Sequence, residues 1–231
     1  MKKFLLMILI CVISVSGLCS CKENTGSENG VNNNKTVSKN ADEESNNREV
    51  SIEVLKNSAE TSGKEFSYVE LDEDSVMITG YDGKSNIVVI PEKIDGKTVT
   101  KIESYVFAND STVEAIKFPD TLTELGDFIF TNNKNLQILI LGNGLETISK
   151  NMCLCCANLC NVDIGTSVKN ISVQAFGTCK NLKTIYIPEN VENIEVGAFI
   201  GEGSENLVIQ GKTGSVAESY AKENGFKFEA K

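Results

Sequence analysis

Four stretches decide the fold: Val113-Glu114-Ala115-Ile116-Lys117-Phe118-Pro119, Leu136-Gln137-Ile138-Leu139-Ile140-Leu141-Gly142, Leu159-Cys160-Asn161-Val162-Asp163-Ile164-Gly165 and Leu182-Lys183-Thr184-Ile185-Tyr186-Ile187-Pro188. Each begins 23 residues after the one before, and each reads apolar-x-x-apolar-x-apolar followed by Pro or Gly. A second apolar pair follows at fixed distance, as Leu122/Leu125, Leu145/Ile148, Val168/Ile171 and Val191/Ile194. Every unit therefore has two inward-facing edges, and neither can be buried without the neighbouring unit.

A fixed period in this range, with apolar residues at such offsets, is the pattern of a leucine-rich repeat solenoid whose coils bury their apolar faces against one another. Working outward, Pro91 joins the Pro119, Gly142, Gly165 and Pro188 column once a five-residue insertion, Asp95 to Val99, is allowed for. Pro cannot donate to a strand ladder and Gly tolerates unusual dihedrals, so both end the strand there. Phe107, Phe130, Cys153, Phe176 and Phe199 form an interior column, in which Phe at position 153 should be tolerated. Thr112, Asn135, Asn158, Asn181 and Asn206 form another, where an amide side chain is placed to bond turn backbone groups.

The ends of the array read as caps. Phe66 to Leu71 and Val76 to Thr79 flank a polar turn and predict a β-hairpin covering the first coil. Leu207-Val208-Ile209 predicts a last strand, and Ser215-Val216-Ala217-Glu218 has the form of a capping box opening a short helix stopped by Gly225. A strand over Phe226-Lys227-Phe228 completes a β-α-β cap. The fold class expected is thus a mainly β repeat solenoid with an N-terminal hairpin cap over 66–84, repeats over 85–206 and a C-terminal cap over 207–231.

The chain resembles the BspA-like bacterial surface proteins, which carry leucine-rich repeats of the Treponema type. The residues that carry the resemblance are Ile90-Pro91-Glu92-Lys93-Ile94-Asp95-Gly96-Lys97-Thr98-Val99-Thr100-Lys101-Ile102, Gln174-Ala175-Phe176-Gly177-Thr178-Cys179-Lys180-Asn181-Leu182, and Gly214-Ser215-Val216-Ala217-Glu218-Ser219-Tyr220-Ala221-Lys222-Glu223-Asn224-Gly225. It spans roughly Phe66 to Lys231, and it implies surface display and binding of another macromolecule.

Ahead of the repeats, Lys2 and Lys3 precede an unbroken apolar run from Phe4 to Ile13, too short to span a bilayer. Leu18-Cys19-Ser20-Cys21 then resembles the lipobox of bacterial lipoproteins, which implies a signal peptide over 1–20 and lipidation of Cys21. Plain secretion after nearby cleavage is the alternative. Residues 21–65 read as a flexible polar tether, because from Lys22 to about Ser51 hardly a large apolar side chain offsets ordering entropy. Some thirty such residues reach about 30 Å. Val50, Ile52 and Val54 alternate like a short strand, a pattern that Leu55 breaks.

Composition narrows the chemistry. No His occurs in the chain, which removes the usual general base, the His-dependent nucleophilic dyads and every His-containing metal site. Loss of Lys2 and Lys3 with the signal leaves 20 basic against 32 acidic residues, a net charge of −12 and the wrong sign for nucleic acid. Neither a cofactor nor a metal is expected. Five of the eight cysteines lie within Cys153 to Cys179. Cys156 and Cys179 fall in one column and read as buried thiols, with a disulfide between them as the next choice. The spacing of Cys153, Cys155, Cys156 and Cys160 matches no common zinc pattern.

What remains is a surface. Ile87, Val89, Ala115, Lys117, Ile138, Ile140, Asn161, Asp163, Thr184 and Tyr186 point outward from successive strands and are the candidate ligand-binding residues. Ile87, Val89, Ala115, Ile138 and Ile140 make an apolar patch around Lys117, of the kind that marks an interaction site unless the nearby Val50 to Leu55 covers it. The function expected is that of a lipid-anchored, extracytoplasmic, non-catalytic protein that binds a protein of a host or neighbouring cell. A glycan-binding module and a purely structural spacer are the alternatives.

Overall fold

In the computed structural model, which describes residues 51–231, the repeats stack as parallel coils. Strands β1 (Phe66–Glu70) and β2 (Ser75–Tyr81) form the N-terminal hairpin, followed by β3 (Ile87–Val89), β4 (Lys93–Ile94) and β5 (Lys97–Ile102). Each later coil contributes a three-residue strand and then a two-residue one: β6 (Ala115–Lys117) and β7 (Glu124–Leu125), β8 (Ile138–Ile140) and β9 (Thr147–Ile148), β10 (Asn161–Asp163) and β11 (Asn170–Ile171), β12 (Thr184–Tyr186) and β13 (Asn193–Ile194). The longer strands pair in parallel as β3-β6-β8-β10, and β12 begins a continuation through β14 (Val208–Gly211) and β15 (Lys227–Ala230). The register joins Ile116 to Leu139 and Leu139 to Val162, one 23-residue step each, as the sequence columns require. The short strands make a second ladder, β9-β11-β13, with β7 carried on β5.

The expected five-residue insertion is a hairpin. Asp95 and Gly96 both have positive φ, 50° and 84°, which suits the two central residues of a tight turn whose twist matches its flanking strands. This places β4 antiparallel to β5, and β5 then lies parallel to β2, so the N-terminal hairpin is welded to the first coil. Phe66, Val76 and Ile78 enter the main core, and Tyr81 bridges Phe66 and Phe107 at ring separations of 5.2 and 5.3 Å.

At the other end α2 (Val216–Asn224) buries Ala217, Tyr220 and Ala221, with the Tyr220 ring edge-on to Phe199 at 5.8 Å. Gly225 ends it in the left-handed conformation at φ 76°. The capping box is only half made: Glu218 accepts from the Gly214 N–H at 2.7 Å, whereas the Ser215 side chain makes no cap bond.

Two interior columns differ from their sequence reading. Stacked rings fill the coil at Phe107/Phe130 and Phe176/Phe199, both 5.4 Å apart, with Cys153 fully buried between the two pairs. Beside it Met152 is also fully buried where the next two coils carry Ala175 and Ala198. Second, the turns are bonded chiefly by the column Asp110, Asn133, Cys156 and Cys179. Asp110 accepts from the Thr112 and Val113 N–H groups, both at 2.7 Å, and the fully buried Asn133 accepts from Leu136 N–H. In the Asn column, Asn135 does bond a turn backbone group, donating to the Ser111 carbonyl of the preceding coil, whereas Asn181 donates to the Asn158 side chain at 3.3 Å.

The remaining edge of each coil is a turn built on left-handed residues. Tyr105, Phe128, Asn151 and Gln174 share one positive-φ column, and Asn109, Asn132, Cys155 and Thr178 a second, each continued by glycine at 197 and 201. Left-handed backbone costs a non-glycine residue about 1–2 kcal/mol. The cost is offset because this conformation aims the N–H along the stack: Tyr105, Phe128, Asn151, Asn109, Asn132 and Cys155 each donate to a carbonyl of the next coil.

The segment before the hairpin departs from expectation. Residues 51–65 belong to the folded body, with α1 (Ile52–Lys56) and a 3-10 turn, Gly63–Glu65, so the tether reading fails for this part. Ile52 and Val54 lie in a helix and not a strand, because Ser51 accepts from Val54 N–H as an N-cap and the i, i+3 pair Ile52 and Leu55 meets an apolar surface. Cys21, the signal sequence and the rest of the tether lie outside the described residues.

Candidate functional site

The ten outward positions divide into two halves. On β3, β6 and β8, Ile87, Val89, Ala115, Ile138 and Ile140 form one apolar cluster with Leu55 and Ile52 of α1. Leu55 and Ala115 are fully buried, Val89, Ile138 and Ile140 nearly so. The apolar patch expected to be an open recognition surface is therefore covered, by the segment named as its alternative occupant. Burying Leu55 contributes about 1.5–3 kcal/mol, which a five-residue helix needs, since it is too short to persist alone.

Thr61 fastens the end of this strap, donating its N–H to the Val89 carbonyl at 2.8 Å and accepting the Val89 N–H on Oγ1 at 3.0 Å. Glu60 accepts from Glu92 N–H. Lys117, half-buried at the strap's edge, lines a cleft of about 150 Å³ with Ser58, Glu60, Glu92 and Asp120. Its carboxylate neighbours make it part of a mixed-charge rim rather than the centre of an apolar site.

The other half is open. Asn161 and Asp163 on β10 are partly exposed, Thr184 and Tyr186 on β12 more so, and Gln210 and Glu229 continue the face on β14 and β15. Tyr186 is 46% exposed, an aromatic ring standing on an otherwise polar strip. Asp163 closes the boundary between the halves by pairing with Lys56 at 3.2 Å.

Among the described residues the buried polar side chains are Asn133, Ser149 and Asn151, all uncharged, so no carboxylate or amine is desolvated into an acid or base role. Burial raises the Cys153 thiol well above its ordinary value of 9.0, helped by its hydrogen bond to Cys156, and burial raises Cys179 likewise. A nucleophilic thiol needs the opposite shift. Cys156 donates to the Phe130 carbonyl at 3.0 Å and Cys179 to that of Cys153 at 3.2 Å, and no disulfide joins the described cysteines. Nor do the described residues bring three or more potential metal ligands together. A larger groove, about 520 Å³, runs along the second ladder between Glu124 and Glu146, whose carboxylates are engaged by Lys101 and Lys169.

Parallel ladders with a 23-residue register, closed by a hairpin and a β-α-β cap, define a leucine-rich-repeat solenoid. The family model of the BspA type leucine-rich repeat region matches residues 94–224 in six copies, and the chain belongs to this family. No curated protein matches it. Among solved structures it is similar to a leucine-rich repeat protein of T. pallidum, with a TM-score of 0.58 at 24% identity, over 74% of this chain and 98% of that one. It is also similar to a leucine-rich cell surface protein of Faecalibacterium prausnitzii, with a TM-score of 0.56 at 23% identity, over 67% of this chain and 39% of that one. A leucine-rich repeat protein of Bacteroides ovatus gives 0.50 at 24% identity, over 63% of this chain and 45% of that one. At these identities the likeness is one of fold.

Proposed function

We propose that this protein is displayed outside the cytoplasm, anchored through Cys21, and binds another macromolecule through the open half of its first ladder without catalysis. The observation that carries the reading is the exposed Tyr186, held on a ladder-paired strand beside Thr184, Asn161 and Asp163. An aromatic with a polar surround is the composition of a binding hot spot, where Tyr is enriched. Membership of the BspA type repeat family and likeness of fold to a leucine-rich cell surface protein support the location, and Cys21 as the last residue of the Leu18-Cys19-Ser20-Cys21 motif supports the anchor.

The favoured partner is a protein. A glycan is the second reading, favoured by one feature: Tyr186 as a stacking platform one coil along from Asp163, a hydroxyl-binding carboxylate. The test is capture by the purified chain from immobilised host matrix proteins and from a glycan array, repeated with Tyr186→Ala. Loss of a protein ligand in the variant supports the first reading, and loss of a glycan the second. Capture unchanged by Tyr186→Ala, or no capture at all, overturns the assignment of this face and leaves the spacer reading.

A further inference from the structure

The cluster that joins α1 to β3, β6 and β8 is separate from the main core. Leu55, Val89, Ala115, Ile138 and Ile140 contact one another and not the interior column of Ile116, Leu139 and Phe130, which is complete without them. The strap is thus an interface laid on a finished solenoid. Outward positions on a solenoid strand have no structural need of Ile, and here five of the six on the three strands beneath the strap are apolar, Lys117 at its edge being the sixth, whereas beyond it β10 and β12 carry Asn161, Asp163, Thr184 and the single aromatic Tyr186. The groove also imposes a conformation, because five residues do not hold a helix unaided.

We propose that this groove is a docking site for a short amphipathic helix of a partner protein, and that residues 51–58 are its built-in, displaceable ligand. The strap records the chemistry of the partner: two branched aliphatic side chains three residues apart, as Ile52 and Leu55, then a basic residue to reach Asp163 as Lys56 does at 3.2 Å. Val54 and Glu53 face away and are free to vary. Displacement leaves the strap tied at Thr61, whose paired bonds to Val89 sit at the groove's edge. While the strap is closed, the partner's apparent affinity is reduced by the fraction of time the groove is open.

This inference rests on the proposed binding role only for its biological use, and the experiment reads the groove directly. A fluorescently labelled peptide of residues 49–60 is titrated into the full chain and into Leu55→Asp, which removes the strap's anchor but leaves the groove intact. The expected result is binding to Leu55→Asp at least about ten-fold tighter than to wild type, weakened again when Lys56 of the peptide is changed to Glu. In native-state hydrogen exchange of the wild type, the Leu55 and Asn57 amides should open together, well before Leu139. A folded Leu55→Asp chain that ignores the peptide overturns the proposal. So does failure of that variant to fold, or exchange of the strap only with global unfolding, because either makes the strap part of the core.

Discussion

Lys56 Nζ sits 3.2 Å from Asp163 Oδ2, tying the last turn of α1 to the fourth strand of the first ladder at the line where its apolar half gives way to its polar half. Both side chains are well exposed, 48% and 37%, so the pair is worth at most about 1 kcal/mol. Asp163→Asn should leave the main thermal transition within a degree or two of wild type and loosen the strap alone. A large loss of stability on calorimetry would show that the pair holds more than the strap.

The covered patch reverses the expectation for its surface residues. Replacing Ile138 and Ile140 together with Ser puts two hydroxyls under Leu55 and should lower stability by about 2–4 kcal/mol, or release the strap at smaller cost. Thermal melts with hydrogen exchange of the 51–58 amides distinguish the two. A double variant that melts as wild type with its strap protected would mean that the contact contributes nothing.

Cys153 occupies a phenylalanine column, yet Cys153→Phe should destabilise by about 1–3 kcal/mol, because Cys153 and Met152 already fill their coil with no exposure. Restoring the pair of the next two coils, Met152→Ala with Cys153→Phe, should recover part of the loss. Phe176→Ala, deleting half of a stacked pair, should cost about 3–5 kcal/mol. Denaturant midpoints rank the three; a neutral Cys153→Phe would mean that the coil relaxes freely.

The raised thiols of Cys153 and Cys179 give a pH dependence of definite sign. Folding favours the protonated form, so the stabilisation is complete below the ordinary thiol value of 9.0 and is lost as pH rises above it, where only the unfolded chain ionises. At mildly alkaline pH both should resist an aromatic disulfide reagent in the native protein and react at once in denaturant. Rapid labelling of Cys153 or Cys179 in the folded chain would contradict their burial.

The sequence by itself determined the coil. Its 23-residue columns decide which side chains face inward, because side-chain direction alternates along a strand, and Ile116, Leu139, Val162 and Ile185 could occupy no other place without exposing every coil. The caps were equally legible from Gly225, the Phe66 to Tyr81 hairpin and the Ser215 to Glu218 motif, since their signals are local. Tertiary structure decided what lies on the outside. That Leu55 covers Ile138 is a contact between an aperiodic segment and a repeat far along the chain, and no column predicts it. The bonding of the turns through Asp110, Asn133, Cys156 and Cys179 had a signal, being another 23-residue column, but its chemistry changes along the stack. Left-handed turns at Tyr105 and Phe128 had none, because bulky aromatic residues avoid that conformation unless the next coil's carbonyls reward it.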